Sequence, residues 1–305
     1  MESSLVSISN EVAGLVERFQ SQVVAVHARP HYPSSGILWR PGIIVTADHT
    51  VRREENIQLT LPGGDRSEAE MVGRDSGSDV AVLKAEGLAF PSGPAEQADP
   101  ALPPRIGELA LVLGRSPDSG PNVSLGVISA FSGPWRTWRG GRLDHYIRLD
   151  ATMFPNSSGG AVLDGRGRLL GVATSALSRF AGLAIPAQTV NRVVNALLEK
   201  GRVPRGYLGI GVQLVTLPEA LRLSLALGNK YGVMVVSVDA GGPADQAGVF
   251  LGDILVGLGE TSVAGIEDLQ VFSDADVIGK PVRTRIVRSG GLQEVTITPG
   301  ERPGN

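Results

Sequence analysis

The chain has 305 residues, 42% hydrophobic and 19% charged, which is enough apolar material for a large core and speaks against global disorder. A net charge of −3 gives no reason to expect a nucleic-acid partner. Cysteine is absent, which excludes disulfides, thiol catalysis and cysteine-based metal sites, and fits a cytosolic or an envelope protein equally well.

Residues 1–22 open with an amphipathic helix: Leu5, Ile8, Val12, Leu15, Val16 and Phe19 recur at helical spacing. The segment lacks the basic start and continuous apolar stretch of a signal peptide. No run reaches the ~18 apolar residues of a membrane helix, so the chain as given reads as soluble, with no membrane span. Short Val/Ile/Leu-rich runs follow at 23–28, 42–47, 56–61, 80–85, 109–114, 125–131, 145–151, 160–164 and 168–176, separated by turns such as PGGD, DSGS and DGRGR. Regular short strands with glycine turns predict a mainly β domain, a barrel or a sandwich. Residues 185–203 switch to helical spacing through Val190, Val193, Val194, Leu197 and Leu198, with Gly201 as a stop. A first domain over 23–201 is therefore expected, joined by RVPRG (202–206) to a second over 206–300. In the second, strands are expected at 207–215, 231–239, 253–259, 282–288 and 293–299, with a helix over 266–276.

The stretch FPNSSGGAVL, residues 154–163, sets two serines before two glycines. A serine hydroxyl is a poor nucleophile until a base takes its proton, and a third group must hold that base in the right tautomer. Of four histidines, His49 stands where the apolar strand GIIVT gives way to a loop, a rigid mount for a catalytic side chain. His27, His31 and His145 read as ordinary structural histidines, and no pair has the spacing of a zinc helix, so no metal is implied. Asp79 immediately precedes the apolar strand VAVLK and can be buried against a histidine. Each alone is commonly a loop or turn residue, but His49, Asp79 and Ser158 occur in the order histidine, aspartate, serine found in chymotrypsin.

These stretches resemble the HtrA/Deg serine proteases. IVTADHTV is similar to their histidine motif, DSGSDVAVLK to their aspartate motif and IRLDATMFPNSSGGAVLDGRGRLLGV to their nucleophile motif. GELALVLGRSP, GVISA and GLAIP also fit, and the likeness covers roughly residues 10–300. It implies a chymotrypsin-like double β-barrel with the site in the cleft between barrels. His49 takes the position of the general base, Asp79 that of the orienting acid and Ser158 that of the nucleophile. Ser157 falls where the family usually has asparagine. Asn156 replaces the family's glycine, whose N–H with that of Ser158 forms the oxyanion hole. Losing one such donor costs about 2.7–4 kcal/mol. Asparagine is among the better substitutes at positive φ, so reduced or conditional activity is expected. Thr152 and Met153 fall near the base of the primary pocket; neither is acidic, so a small or medium apolar residue is favoured over lysine or arginine.

In the second domain, YLGIG with PADQAG…GDIL looks like the PDZ domain that follows the protease in this family. Such a domain adds an extended peptide to a sheet edge and holds its terminal carboxylate on backbone N–H groups. The matching positions are Tyr207, Leu208, Gly209 and Ile210. Leu269 and Phe272 are candidates for the other wall of the groove, or else for plain core packing. The resemblance implies an ATP-independent endopeptidase acting on unfolded or damaged proteins and exposed C-termini in protein quality control, with no cofactor. It also implies a homotrimer, to which Val6, Ile8 and Phe19 could contribute. It points to the bacterial periplasm or envelope, while the lack of a signal peptide leaves the cytoplasm open. Two rival readings are a catalytically impaired pseudoprotease that binds peptides or senses stress, motivated by Asn156, and an esterase on another fold, disfavoured by the triad order.

Overall fold

The computed structural model describes residues 4–88, 96–99 and 101–302. The chain forms two compact units, residues 1–203 and 204–305. Met1, Glu2 and Ser3 of the expected N-terminal helix lie outside the described residues.

The first unit starts with α1 (Ser4–Phe19), then β1 (Val23–His27), β2 (Ser34–Arg40), β3 (Ile43–Ala47), β4 (Ile57–Thr60), β5 (Arg66–Asp75) and β6 (Val80–Lys84). These six strands close into a barrel in the order β1-β2-β3-β6-β5-β4. Then come β7 (Leu109–Ser116), β8 (Gly120–Ser132), the short pair β9 (Trp135–Arg136) and β10 (Arg142–Leu143), β11 (Tyr146–Asp150), β12 (Ala161–Asp164), β13 (Leu169–Thr174) and β14 (Gly182–Pro186). The second barrel runs β11-β14-β13-β12-β7-β8. Helix α2 (Ala187–Lys200) closes the unit, and Gly201 ends it at φ +69 with its N–H on the Leu197 carbonyl.

Strand alternation distributes the core. Val24 and Val26 face the first barrel's interior with Ile44, Ile57, Leu59 and Leu83. Val112, Ile128, Leu149 and Val162 fill the second. A third cluster draws on both: Val23, Ile37 and Val45 meet Leu111, Leu113 and Leu183 under Val190, Val194 and Leu197 of α2. Leu15 and Phe19 of α1 belong to this cluster too. Phe19, 5% exposed, is therefore not free for a contact between chains; exposing it would forfeit about 2 kcal/mol. Leu5, Val6 and Ile8 remain exposed on α1.

Two strands escape the hydrophobic pattern. β2 begins Ser34-Ser35-Gly36, which reads as a turn, yet Gly36 is what lets it pass: a Cβ there would lie 2.8 Å from side-chain atoms of Ile44 and Val26. β5 carries the charges of Arg66, Glu68, Glu70, Arg74 and Asp75 among few apolar residues and is mostly half-buried or exposed.

The second unit is built from β15 (Gly206–Tyr207), β16 (Ile210–Thr216), α3 (Glu219–Ser224), β17 (Tyr231–Val238), α4 (Pro243–Gln246), β18 (Ile254–Leu258), β19 (Thr261–Ser262), β20 (Val282–Arg288), β21 (Gly291–Ile297) and β22 (Gly300–Glu301). Its main sheet runs β16-β17-β18-β20-β21, with β19 on β18, and β15 pairs with β22. Residues 266–273 and 275–277 form 3-10 turns rather than the expected α-helix. Arg288 holds Asp253 with two bonds, Nε to Oδ1 at 2.8 Å and Nη2 to Oδ2 at 2.6 Å. Burial alone would raise the Asp253 carboxyl, but the Arg288 guanidinium and the Phe250 N–H outweigh it and hold the group below the usual aspartate range.

Candidate active site

The fully buried strand β3 ends at Ala47, and a 3-10 turn over Asp48–Thr50 carries His49 out of the barrel. Both flanks of this turn are braced. Thr50 Oγ1 donates to the Ala47 carbonyl at 2.7 Å. Asp48, 1% exposed, is ion-paired to Arg74, whose Nη2 also reaches the carbonyls of Asp48 and Val51 at 3.2 and 3.3 Å. This half-buried pair fixes the backbone on each side of the histidine.

Asp79 arrives from the turn before β6. The Asp75 carboxylate accepts from the Ser78 N–H and hydroxyl at 3.0 and 2.6 Å, which tightens that turn. Asp79 itself sits at φ +61 with its side chain fully buried. Its Oδ1 accepts the His49 backbone N–H at 2.8 Å, and its two oxygens lie 3.0 and 2.9 Å from His49 Nδ1. A carboxylate only accepts, so Nδ1 carries the hydrogen and Nε2 presents a lone pair. A further donor is Thr174 Oγ1, at the end of β13, on Asp79 Oδ2.

The serine loop is pinned along its length. The Ser157 N–H donates to the Phe154 carbonyl at 2.9 Å, and its hydroxyl accepts the Phe154 N–H at 3.1 Å. Ser157 is thus committed to the turn. The Asn156 carbonyl accepts from Ser35 Oγ at 2.6 Å, and the Ser158 carbonyl from the Ser35 N–H at 3.1 Å. Gly159 lies at φ +86 where a Cβ would meet the Ser35 carbonyl at 2.1 Å and Thr46 Oγ1 at 2.4 Å. Only glycine fits there, and the fit sets Ser158 beside the end of β3. Among the described residues, the N–H groups of Asn156 and Ser158 have no acceptor. Asn156 is also absent from the residues at positive φ, so the left-handed strain expected of a glycine replacement does not arise.

Ser158 Oγ lies 3.1 Å from Ser175 Oγ and makes no hydrogen bond to His49. The neighbours Thr174 and Ser175 thus bridge the site: one bonds Asp79, the other Ser158. Neither was singled out from sequence, because both lie in a stretch that reads as plain strand. Thr152 is exposed, and its carbonyl accepts from Ser124 Oγ at 2.7 Å. Met153 is half-buried over Gly182 at the start of β14, where a Cβ would meet its Cγ at 2.6 Å. His27 bonds Thr60 Oγ1 at 2.8 Å, away from the serine loop.

In the second unit, Tyr207 bonds Asp239 through its hydroxyl. Gly209 sits at φ +75, and the carbonyls of Leu208 and Gly209 accept from Ala244 and Asp239 at 2.9 and 2.8 Å. Among the described residues, the N–H groups of Leu208 and Gly209 have no acceptor. Ile210 begins β16 and is half-buried. Leu269 and Phe272, 9% and 2% exposed, pack into the same core as Leu208, leaving Phe272 almost no surface for a ligand.

Comparison with known proteins agrees with this architecture. Residues 34–172 match the trypsin-like peptidase domain model and residues 206–298 the PDZ domain model. The protein bearing the serine protease name HhoB in Synechocystis sp. is 30% identical over 300 residues, covering 94% of this chain and 71% of that one. Serine endoprotease DegS of Haemophilus influenzae is 28% identical, covering 89% of this chain and 78% of its own. A protein named as a DegP-like periplasmic serine endoprotease in Rhizobium meliloti is 30% identical, and this chain spans 55% of its length. Among solved structures, the HtrA-type protease AlgW with decapeptide superposes with a TM-score of 0.76 at 25% identity, covering 96% of this chain and 99% of that one. The serine endoprotease from Yersinia pestis superposes at 0.73 and 28% identity, covering 99% and 100%. With two six-stranded barrels, one following PDZ domain and these relatives, the chain belongs to the HtrA/Deg family of trypsin-like serine proteases.

Proposed function

We propose that this chain is an ATP-independent serine endopeptidase of protein quality control, cleaving unfolded or damaged polypeptides in the cell envelope. The observation that carries the reading is the buried Asp79 carboxylate on His49 Nδ1, tied through Thr174 and Ser175 to Ser158. In the reaction, Ser158 Oγ attacks the scissile carbonyl while its proton passes to His49 Nε2. The N–H groups of Asn156 and Ser158 receive the oxyanion. Collapse breaks the C–N bond, and the amine leaves with the proton held by His49. Water, deprotonated by the same histidine, then hydrolyses the acyl-enzyme. Asp79 remains ionised and stabilises the imidazolium. Met153 over Gly182, with Thr152 beside it, supports a pocket for a small or medium apolar residue.

The PDZ domain is assigned to extended peptides. The unpartnered N–H groups of Leu208 and Gly209 support capture of a C-terminal carboxylate, with Tyr207 and Ile210 flanking it. A homotrimer through the exposed Leu5, Val6 and Ile8 of α1 fits the same reading. A peptide-binding pseudoprotease is the second reading, favoured by Ser158 bonding Ser175 instead of His49. Cleavage of reduced casein by wild type and by Ser158→Ala separates the two. The protease reading requires cleavage that disappears in the variant. Peptide binding without cleavage by wild type would establish the pseudoprotease.

A further inference from the structure

Arg29 lies just beyond β1, in a loop whose histidines alone attract notice in the sequence. Its guanidinium meets no carboxylate among the described residues. All three of its hydrogen bonds go to main-chain carbonyls: Nε to Tyr32 at 2.5 Å, Nη2 to Pro33 at 3.4 Å and Nη2 to Pro155 at 2.8 Å. The first two fold its own loop. The third crosses 126 positions of sequence to the serine loop. The group is half-buried, and burial together with nearby Arg52 pulls its pKa below the usual arginine value. A cation held in that setting by carbonyls alone is there for what the carbonyls do.

The Pro155 carbonyl and the Asn156 N–H are opposite ends of one peptide group. The chain has no cis peptide among its described residues, and a trans peptide is planar with C=O and N–H antiparallel. Fixing the carbonyl therefore fixes the N–H, pointed the other way. Rotation of this one peptide would exchange an oxyanion donor for an acceptor. The next peptide is held separately, by Ser35 on the Asn156 carbonyl and by Phe154 on the Ser157 N–H. Among the described residues, the Pro155–Asn156 peptide has no other hydrogen-bond partner than Arg29. Pro155 brings no N–H of its own to help. A charged donor on the carbonyl also polarises the amide and makes its N–H a stronger donor.

We propose that Arg29 is the positioning residue of the oxyanion hole, holding the Pro155–Asn156 peptide with its N–H available to the tetrahedral intermediate. The inference rests on the protease reading above.

The test compares wild type, Arg29→Ala and Arg29→Lys on fluorescent casein, with kcat and KM resolved. It adds the affinity for a peptidyl boronate with valine at the cleavage position, whose tetrahedral adduct places an oxygen in the hole. In Arg29→Ala, kcat is expected to fall about 10- to 100-fold with KM within about twofold, and boronate affinity to fall in parallel. Arg29→Lys, keeping one charged donor, should recover part of both. Should Arg29→Ala fail to fold, Arg29→Gln carries the same prediction. An unchanged kcat, a rise in KM alone, or boronate affinity unmoved while kcat falls would overturn the role of Arg29. A wild type that neither cleaves casein nor binds the boronate would defeat the protease reading itself, and the role of Arg29 with it.

Discussion

The hydroxyl of Ser158 lies 3.1 Å from that of Ser175 and bonds it in preference to His49. In the proposed mechanism Ser158 must leave this partner to share its proton with His49. A hydroxyl–hydroxyl bond has a net worth of about 0.5–1.5 kcal/mol. Ser175→Ala should therefore speed nucleophilic attack by Ser158 by about two- to tenfold. Stopped-flow labelling by a fluorophosphonate measures this; slower labelling would mean that Ser175 assists the nucleophile instead.

Asp79 combines a left-handed backbone, φ +61, with a fully buried carboxylate on His49 Nδ1. Asparagine tolerates that backbone and matches the shape, so Asp79→Asn should fold. It presents an amide that favours the wrong histidine tautomer, and kcat should drop by up to about 10⁴. Casein turnover checks the rate, and thermal melting checks the fold. A loss below tenfold would remove Asp79 from the mechanism.

Asn156 has no left-handed backbone to relieve, and its N–H already lacks an acceptor. Asn156→Gly should leave kcat on casein within about threefold of wild type. A gain of tenfold or more would show that asparagine holds the site back.

The contact between His49 and Asp79 was legible in sequence because each residue flanks an apolar strand within a contiguous motif: His49 follows β3 and Asp79 precedes β6. The barrels were legible for the same reason: short buried strands announce themselves by composition. What stayed hidden depends on tertiary placement. Thr174 finds Asp79 across 95 positions and Arg29 finds Pro155 across 126, and nothing local in either residue's stretch marks a partner. β2 was obscured by Ser-Ser-Gly, small residues chosen for close strand packing that imitate a turn. Phe19 shares one helical stripe with Leu5 and Ile8, and periodicity alone does not say which end of that stripe the barrels cover.

Asp253, 2% exposed, is held below the ordinary aspartate range by burial outweighed by Arg288 and the Phe250 N–H. A depressed folded pKa gives stability present above the unfolded value and lost as pH falls through the folded one. Hydrogen-exchange protection of β18 and β20 should thus decline below about pH 4, the unfolded aspartate range. Asp253→Asn should cost about 1.5–3 kcal/mol near neutrality, the worth of a hydrogen bond to a charged group, and flatten that decline. Protection that stays flat in wild type to pH 2 would contradict this.

The most direct test of the central claim is active-site titration with a fluorophosphonate, which joins phosphorus to Ser158 Oγ and releases fluoride. Peptide mapping by mass spectrometry should place one adduct per chain on Ser158. It should find none in Ser158→Ala. An adduct elsewhere, or none in a folded wild type, would contradict the assignment of Ser158 as the activated nucleophile.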